Sequence, residues 1–209
     1  MKNWAIVSQK GGSGKTTIAI NLSIAATQAG KSVMLVDASP QRSAVKWANI
    51  RGTGSPEIVA SIAPDLPKLL AGAERSGTGL AIVDTSPHAD RDCIEICRKA
   101  DTVIVPVRPS ILDIVTVRET LQLIERAGRR SRTVIILNGV APQTPEGKDA
   151  ADVLAQMGKV LPVWLGERVD FRRALADGKG VTEFAPNSKA AQEIKALYAA
   201  IEAETPASE

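Results

Sequence analysis

Aromatic side chains are scarce in this chain: three Trp, one Tyr and two Phe make up 3% of 209 residues. That is too few to build the stacking platform on which single-stranded nucleic acid is held, although contact with a duplex backbone stays open. Cysteine is nearly absent as well. Cys93 and Cys97 are the only two, four apart on one face of an expected helix, with no other residues at metal-ligand spacing around them. They read as buried thiols. The single histidine, His88, follows Pro87 and reads as a loop residue, not a general base. No apolar run is long enough to cross a bilayer and the first residues lack a signal-peptide pattern, so a cytoplasmic protein is expected. Charge of one sign is also wanting, at a net +3 with a pI near 8.9. Such a balance permits an anionic partner without demanding one.

What is present is a well-apportioned core. With 44% hydrophobic residues, the chain can bury one core and is short for two, so a single domain over residues 1–204 is expected, with a frayed tail over 205–209. Short β-branched runs alternate with longer amphipathic segments, the pattern of an α/β fold with a mostly parallel, twisted sheet flanked by helices on both faces. About seven strands are expected, at residues 4–8, 32–37, 57–61, 80–84, 102–107, 133–138 and 160–165. Helices are expected near 16–29, 42–50, 65–74, 90–99, 111–127, 148–157, 170–176 and 188–204. In such sheets ligands gather at the carboxyl ends of the strands.

The polar signals fall there. After the apolar run Trp4-Ala5-Ile6-Val7 comes Gln9-Lys10-Gly11-Gly12-Ser13-Gly14-Lys15-Thr16-Thr17. Its glycines allow successive backbone N–H groups to turn inward on a polyphosphate, Lys15 can reach the terminal phosphates, and the Thr16 hydroxyl can ligate Mg²⁺. A P-loop NTPase taking a nucleoside triphosphate and Mg²⁺ is therefore expected, with residues 10–17 as the cradle. Two further strands end in acids, Asp37 and Asp84. A carboxylate after four apolar residues is costly unless it meets a cation or a donor, so both are candidate metal ligands, Asp84 first. The alternatives are that Asp84 caps the turn after it and that Asp37 organises its own loop.

Lysine followed by Gly-Gly-x-Gly-Lys-Thr resembles the deviant Walker A motif of the ParA/MinD ATPases. The resemblance implies that Lys10 crosses a nucleotide-sandwich homodimer to the phosphates held by the partner subunit, making ATP binding and dimerisation one event. It implies catalytic roles for Lys10, Lys15, Asp37 and Asp84. One departure stands out. Where these ATPases read Asp-x-Asp-Pro-Gln in the first switch, the second aspartate positioning the attacking water, this chain has Ser39 in Asp37-Ala38-Ser39-Pro40-Gln41. A hydroxyl carries no charge to polarise that water, so slow hydrolysis is expected, with Asp37 as the replacement.

Later segments extend the likeness, closest to the small plasmid-partition ATPases. Val105 to Ser110 resembles their Pro-x-x-Pro segment, Asn138 their adenine-reading asparagine (or else a turn former), and Pro186 the end of the nucleotide pocket. The last helix has a core-facing stripe, Ala190, Ala191, Ile194, Leu197, Tyr198 and Ile201, unlike the basic membrane helix of MinD-like proteins, so no membrane contact is expected. Non-specific duplex DNA is the expected surface, with Arg168, Arg172, Arg173, Lys189 and Lys195 as candidate phosphate contacts and a second basic cluster at residues 126–132. No segment suits an operator-reading helix-turn-helix. A nucleoid-associated partition or positioning ATPase working through a ParB-like or other adaptor is implied. A nucleotide-locked DNA-binding module and a metabolic enzyme on the same fold are the alternatives.

Overall fold

The computed structural model describes residues 1–52, 54–87, 90–141 and 145–206; His88 lies outside them. In chain order come β1 (Lys2–Ile6), α1 (Lys15–Gln28), β2 (Val33–Asp37), α2 (Ser43–Arg51), β3 (Glu57–Ala60), α3 (Leu66–Arg75), β4 (Leu80–Asp84) and α4 (Asp90–Lys99). The second half holds β5 (Thr102–Val107), α5 (Ile111–Arg126), β6 (Thr133–Val140), α6 (Glu146–Ala155), β7 (Lys159–Val160), β8 (Leu165–Gly166), α7 (Val169–Ala176), α8 (Val181–Phe184) and α9 (Lys189–Glu204).

Every pairing among the described residues is parallel, in the order β3-β2-β4-β1-β5-β6-β7, with β8 beside the far end of β6. Strands buried on both faces read as continuous apolar runs. Accordingly β2 and β4 are buried at every position, as is β5. Alternate residues feed two cores. Trp4, Ile6, Leu35, Ile82 and Ile104 pack with α1, α2 and α7 to α9. Ala5, Val36, Val83, Val103 and Val105 pack with α3 to α6. The helix α1 is apolar nearly all round, with ten of its fourteen residues buried between the sheet and its neighbours, the signature of an interior helix.

The chain leaves β1 in one direction towards β2 and returns across it from β4 to β5. That reversal opens a crevice at the carboxyl end of β1, the place where open parallel sheets bind ligands. Register brings Ile6 beside Asp84, and Asp84 beside Asp37, so the two acids are neighbours at the crevice floor.

Three expectations need correction. The strand expected at 160–165 is two short strands separated by Pro162, which has no N–H to donate to a ladder; β7 pairs with Val134 and Ile135, and β8 with Asn138 and Val140. The one-turn helix α8 is not among the expected elements; Asn21 of α1 holds it, donating to Thr17 O at 2.8 Å and accepting from Val181 N at 2.7 Å. Finally, Thr205 is not frayed. Its buried hydroxyl accepts from Trp4 Nε1 at 2.8 Å, lies 2.9 Å from Thr102 Oγ1 and donates to Ile201 O. The stripe on α9 is buried as expected apart from half-buried Tyr198, behind a Ser188 N-cap that accepts from Ala191 N at 3.2 Å. No helix among the described residues is long and apolar enough to cross a membrane.

Candidate functional site

The cradle is built by the turn from β1 into α1. Gly14 caps that helix in a left-handed conformation, φ 96°, which an L side chain resists, and a Cβ there would collide with the Asn138 amide. With no side-chain cap on α1, its first amides stay available to an anion. The loop is braced from outside: Thr120 of α5 accepts from Gln9 N at 3.2 Å, and Gln9 Nε2 donates to Asp90 at 3.0 Å. Lys15 is 7% exposed and folds back, donating to Ser8 O at 3.0 Å and Lys10 O at 3.2 Å. Burial lowers its pKa, opposed by the nearby Asp84 carboxylate.

Below the loop, Thr16 Oγ1 donates to Asp84 Oδ2 at 2.6 Å. The second oxygen, Oδ1, is buried and has no hydrogen-bond partner among the described residues. Burial pushes the Asp84 carboxyl up to about 7, with the Thr16 hydrogen bond working against the shift and the Asp37 charge adding to it. A buried carboxylate with an idle oxygen is expensive, and a cation between it and the Thr16 hydroxyl removes the cost. This donor set fits Mg²⁺.

Asp37 stands differently. It is fully buried and its carboxylate accepts three backbone N–H groups, from Ser39 at 3.0 Å, Ala44 at 2.9 Å and Val45 at 3.1 Å. It caps α2 from six residues upstream and does not line the phosphate compartment, so the geometry favours the loop-organising reading over catalytic and metal roles. Arg42 completes the loop in a left-handed conformation, φ 52°, held by its guanidinium on Asp37 O and Ser61 O.

Two cavities meet over the cradle. One, of about 350 Å³, is lined by residues 11–17 with Ser39, Gln41, Thr85, Pro87 and Arg108. The other, of about 300 Å³, is lined by Gly14, Thr17, Arg108, Asn138, Gly139, residues 166–168, Phe171 and Arg172. The first suits a phosphate chain and the second a base with its sugar. Asn138 spends one N–H on Ser13 O at 2.8 Å, keeping a second N–H and a carbonyl for a ligand. Lys10 does not line the phosphate cavity of its own chain. Pro186 is exposed and lines neither cavity; the residues after β8 take the place expected for it.

The basic residues divide. Arg168 is committed to Glu193 through two hydrogen bonds, 2.7 and 3.2 Å, and is unsuited to DNA. Arg172 is exposed at the rim of the second cavity, while Arg173, Lys189 and Lys195 are exposed outside it. The cluster at 126–132 is largely spent internally: Arg129 donates to Arg98 O and Ala100 O, Arg130 to Met157 O, and Arg132 pairs with Asp101 at 3.6 Å. Cys93 and Cys97 are buried free thiols, the second raised in pKa by its hydrogen bond to the first and by burial. Sequence reasoning missed Arg108; its one signal was a cation placed directly before Pro109 at a strand end.

A glycine cradle at the reversal point of a parallel sheet, a lysine folded into it and a hydroxyl–carboxylate pair beneath define a P-loop nucleotide-binding protein. The family model for the CobQ/CobB/MinD/ParA nucleotide binding domain matches residues 4–181, and the chain belongs to that family, which includes the ParA/MinD-type ATPases. A maintenance of carboxysome distribution protein A from Gloeobacter kilaueensis is 32% identical over 202 residues, covering 93% of this chain and 89% of its own. The chromosome-partitioning ATPase Soj of Thermus thermophilus is 28% identical, with 92% of each chain covered. Among solved structures, the MinC:MinD cell division protein complex of Aquifex aeolicus superposes with a TM-score of 0.82 at 18% identity, covering 100% of this chain and 99% of that one.

Proposed function

We propose that the protein is a ParA-type ATPase that forms an ATP-dependent sandwich dimer, binds duplex DNA without sequence preference and positions a cargo through an adaptor. The observation that carries the nucleotide part is the Thr16–Asp84 pair beneath the cradle, 2.6 Å apart with Asp84 Oδ1 idle. Thr16 and Asp84 would hold Mg²⁺, which when bound neutralises charge on the phosphate oxygens. The loop amides and Lys15 bind and orient the phosphates; Lys15 exchanges two carbonyl contacts for them, a net gain because the oxygens it then meets are charged.

Lys10 is free of hydrogen bonds and ion pairs through its side chain among the described residues and stands outside its own phosphate cavity, as a lysine destined for the partner's nucleotide should. At Ser39, buried on the cavity wall, no carboxylate is present to orient water. Turnover is slow on this reading, and the ATP dimer is long-lived. That same residue favours a second reading, a nucleotide-locked DNA-binding dimer with almost no turnover. The DNA-binding surface is assigned to Arg172, Arg173, Lys189 and Lys195. The related proteins bear names tied to carboxysomes and to chromosomes, so the cargo is either a protein assembly or DNA.

Light scattering with Mg²⁺ tests the reading. ATP, but not ADP, is expected to convert monomer to dimer; Lys10→Ala remains monomeric while still binding nucleotide, and Lys15→Ala loses nucleotide binding. The ATP dimer is expected to retain duplex DNA of any sequence at low salt and release it as salt rises. Dimerisation of Lys10→Ala equal to the parent's would sink the sandwich assignment.

A further inference from the structure

Arg108 is the cation at the junction of the two cavities, and it lines both. Its Nη2 lies 3.9 Å from where a Cβ on Gly12 would stand, so the guanidinium hangs over the crest of the cradle. Three of the other cations nearby are committed, while Arg172 stands exposed at the rim of the second cavity. Lys15 holds two loop carbonyls, Arg42 holds Asp37 O and Ser61 O, and Arg168 holds Glu193. The Arg108 side chain makes no hydrogen bond or ion pair among the described residues and is exposed.

Its backbone, in contrast, is held firmly. Pro109 restricts the residue before it to extended conformations, Ser110 N donates to Arg108 O at 2.8 Å, and the next turn is closed by Ile114 N on Ser110 O at 2.9 Å. A guanidinium launched from a fixed backbone over a phosphate cradle, its donors unmet by any acceptor among the described residues, is preorganised for a polyphosphate. Only the side-chain rotamers remain to be ordered when a ligand arrives.

We propose that Arg108 is a nucleotide-binding residue of its own chain, gripping the diphosphate portion of a nucleoside di- or triphosphate where it passes from the phosphate cavity to the base cavity. This rests on the nucleotide-binding reading and adds to it a grip that needs no second subunit. ADP and ATP should therefore depend on Arg108 alike, and the monomer should show the dependence.

The experiment is calorimetric titration of ADP and of ATP with Mg²⁺ into the parent, Arg108→Gln, Arg108→Lys and Arg118→Gln, the last removing an exposed cation on α5 that lines neither cavity. Each titration is repeated in the Lys10→Ala background to keep the protein monomeric, with a thermal melt to show that each variant is folded. Loss of one charge-assisted contact predicts about tenfold weaker binding of both nucleotides by Arg108→Gln, partial recovery in Arg108→Lys, and no change in Arg118→Gln. Unchanged ADP affinity in Arg108→Gln overturns the inference. So does a defect confined to ATP-driven dimerisation, which would move Arg108 to the subunit interface. A parent that binds neither nucleotide would instead bring down the underlying nucleotide-binding reading, a result distinguishable from both.

Discussion

Asp37 and Asp84 make an instructive pair. They sit side by side in register at the ends of β2 and β4, each comes after four apolar residues, and each is 0% exposed. The segments beyond them differ. After Asp37 the chain swings through a tight loop into α2, delivering three backbone N–H groups to one carboxylate. After Asp84 the described residues supply no such amides; the donor is the Thr16 hydroxyl, reaching over from the cradle, and one oxygen stays idle among them. One acid organises its own loop, and the other keeps one oxygen without a donor among the described residues. Neither the residue type nor the strand before it separates the two roles. The path of the chain immediately beyond each acid does.

The sharpest way to break this contrast is to remove each carboxylate. Asp37→Ala strands three backbone N–H groups, two of them buried, and uncaps α2, and is expected to cost about 3 kcal/mol, which for a chain of this size lowers the thermal midpoint by roughly 6–12 °C. Asp84→Asn, measured at about pH 4 without nucleotide or Mg²⁺, where the folded parent keeps the Asp84 proton, is expected to change stability by less than about 1 kcal/mol, and at neutral pH to remove Mg²⁺-dependent tightening of nucleotide binding. Equal melting shifts for the two variants would erase the distinction.

A smaller effect is expected at Ser39, which lies just past Asp37 on the cavity wall. Ser39→Asp restores a charged group to orient water and should raise single-turnover hydrolysis by about 10- to 100-fold, roughly 1.4 kcal/mol for each factor of ten. A rate equal to the parent's, with the dimer verified, would move the water-positioning role elsewhere.

The gentlest probe is pH. The Asp84 carboxyl titrates near 3.8 when free and near 7 in the folded protein. Between those values the native state keeps a proton that the unfolded chain has released, so the metal-free protein is most stable below the lower value and loses that stability as pH rises through the upper one. Melting of the parent in a chelator should fall across this window relative to Asp84→Asn, and saturating Mg²⁺ should remove the difference. Parallel pH profiles for the two would count against the assignment.

Much of this architecture is legible in the sequence. Strong apolar runs mark β4 and β5 to the residue, and periodic patterns place every long helix, because helices and strands of that length carry their own signal. The cradle is legible because glycine, lysine and threonine at those spacings have few other uses. The one-turn helix α8 is not, since it is held by Asn21, which lies 160 residues away. Asp37 carries two readings in the sequence for a related reason: hydrogen bonds to a turn are invisible until the turn is built. Basic side chains mislead most. Arg168 and the cluster at 126–132 look like phosphate contacts in sequence, yet their partners are Glu193, Asp101 and backbone carbonyls elsewhere in the chain.

The turn after α7 offers a rule for comparing relatives. Arg51 at the end of α2 donates to Gly178 O and grips both oxygens of Glu183, and a Cβ on Gly178 would stand 2.6 Å from the Arg51 backbone at a φ of 65°. No other residue fits that position with α2 where it is. An aligned sequence bearing a side chain there must either be misaligned by a residue or two, or belong to a protein whose α2 has retreated from the turn; a missing arginine–glutamate pair at positions 51 and 183 would tell the second case from the first.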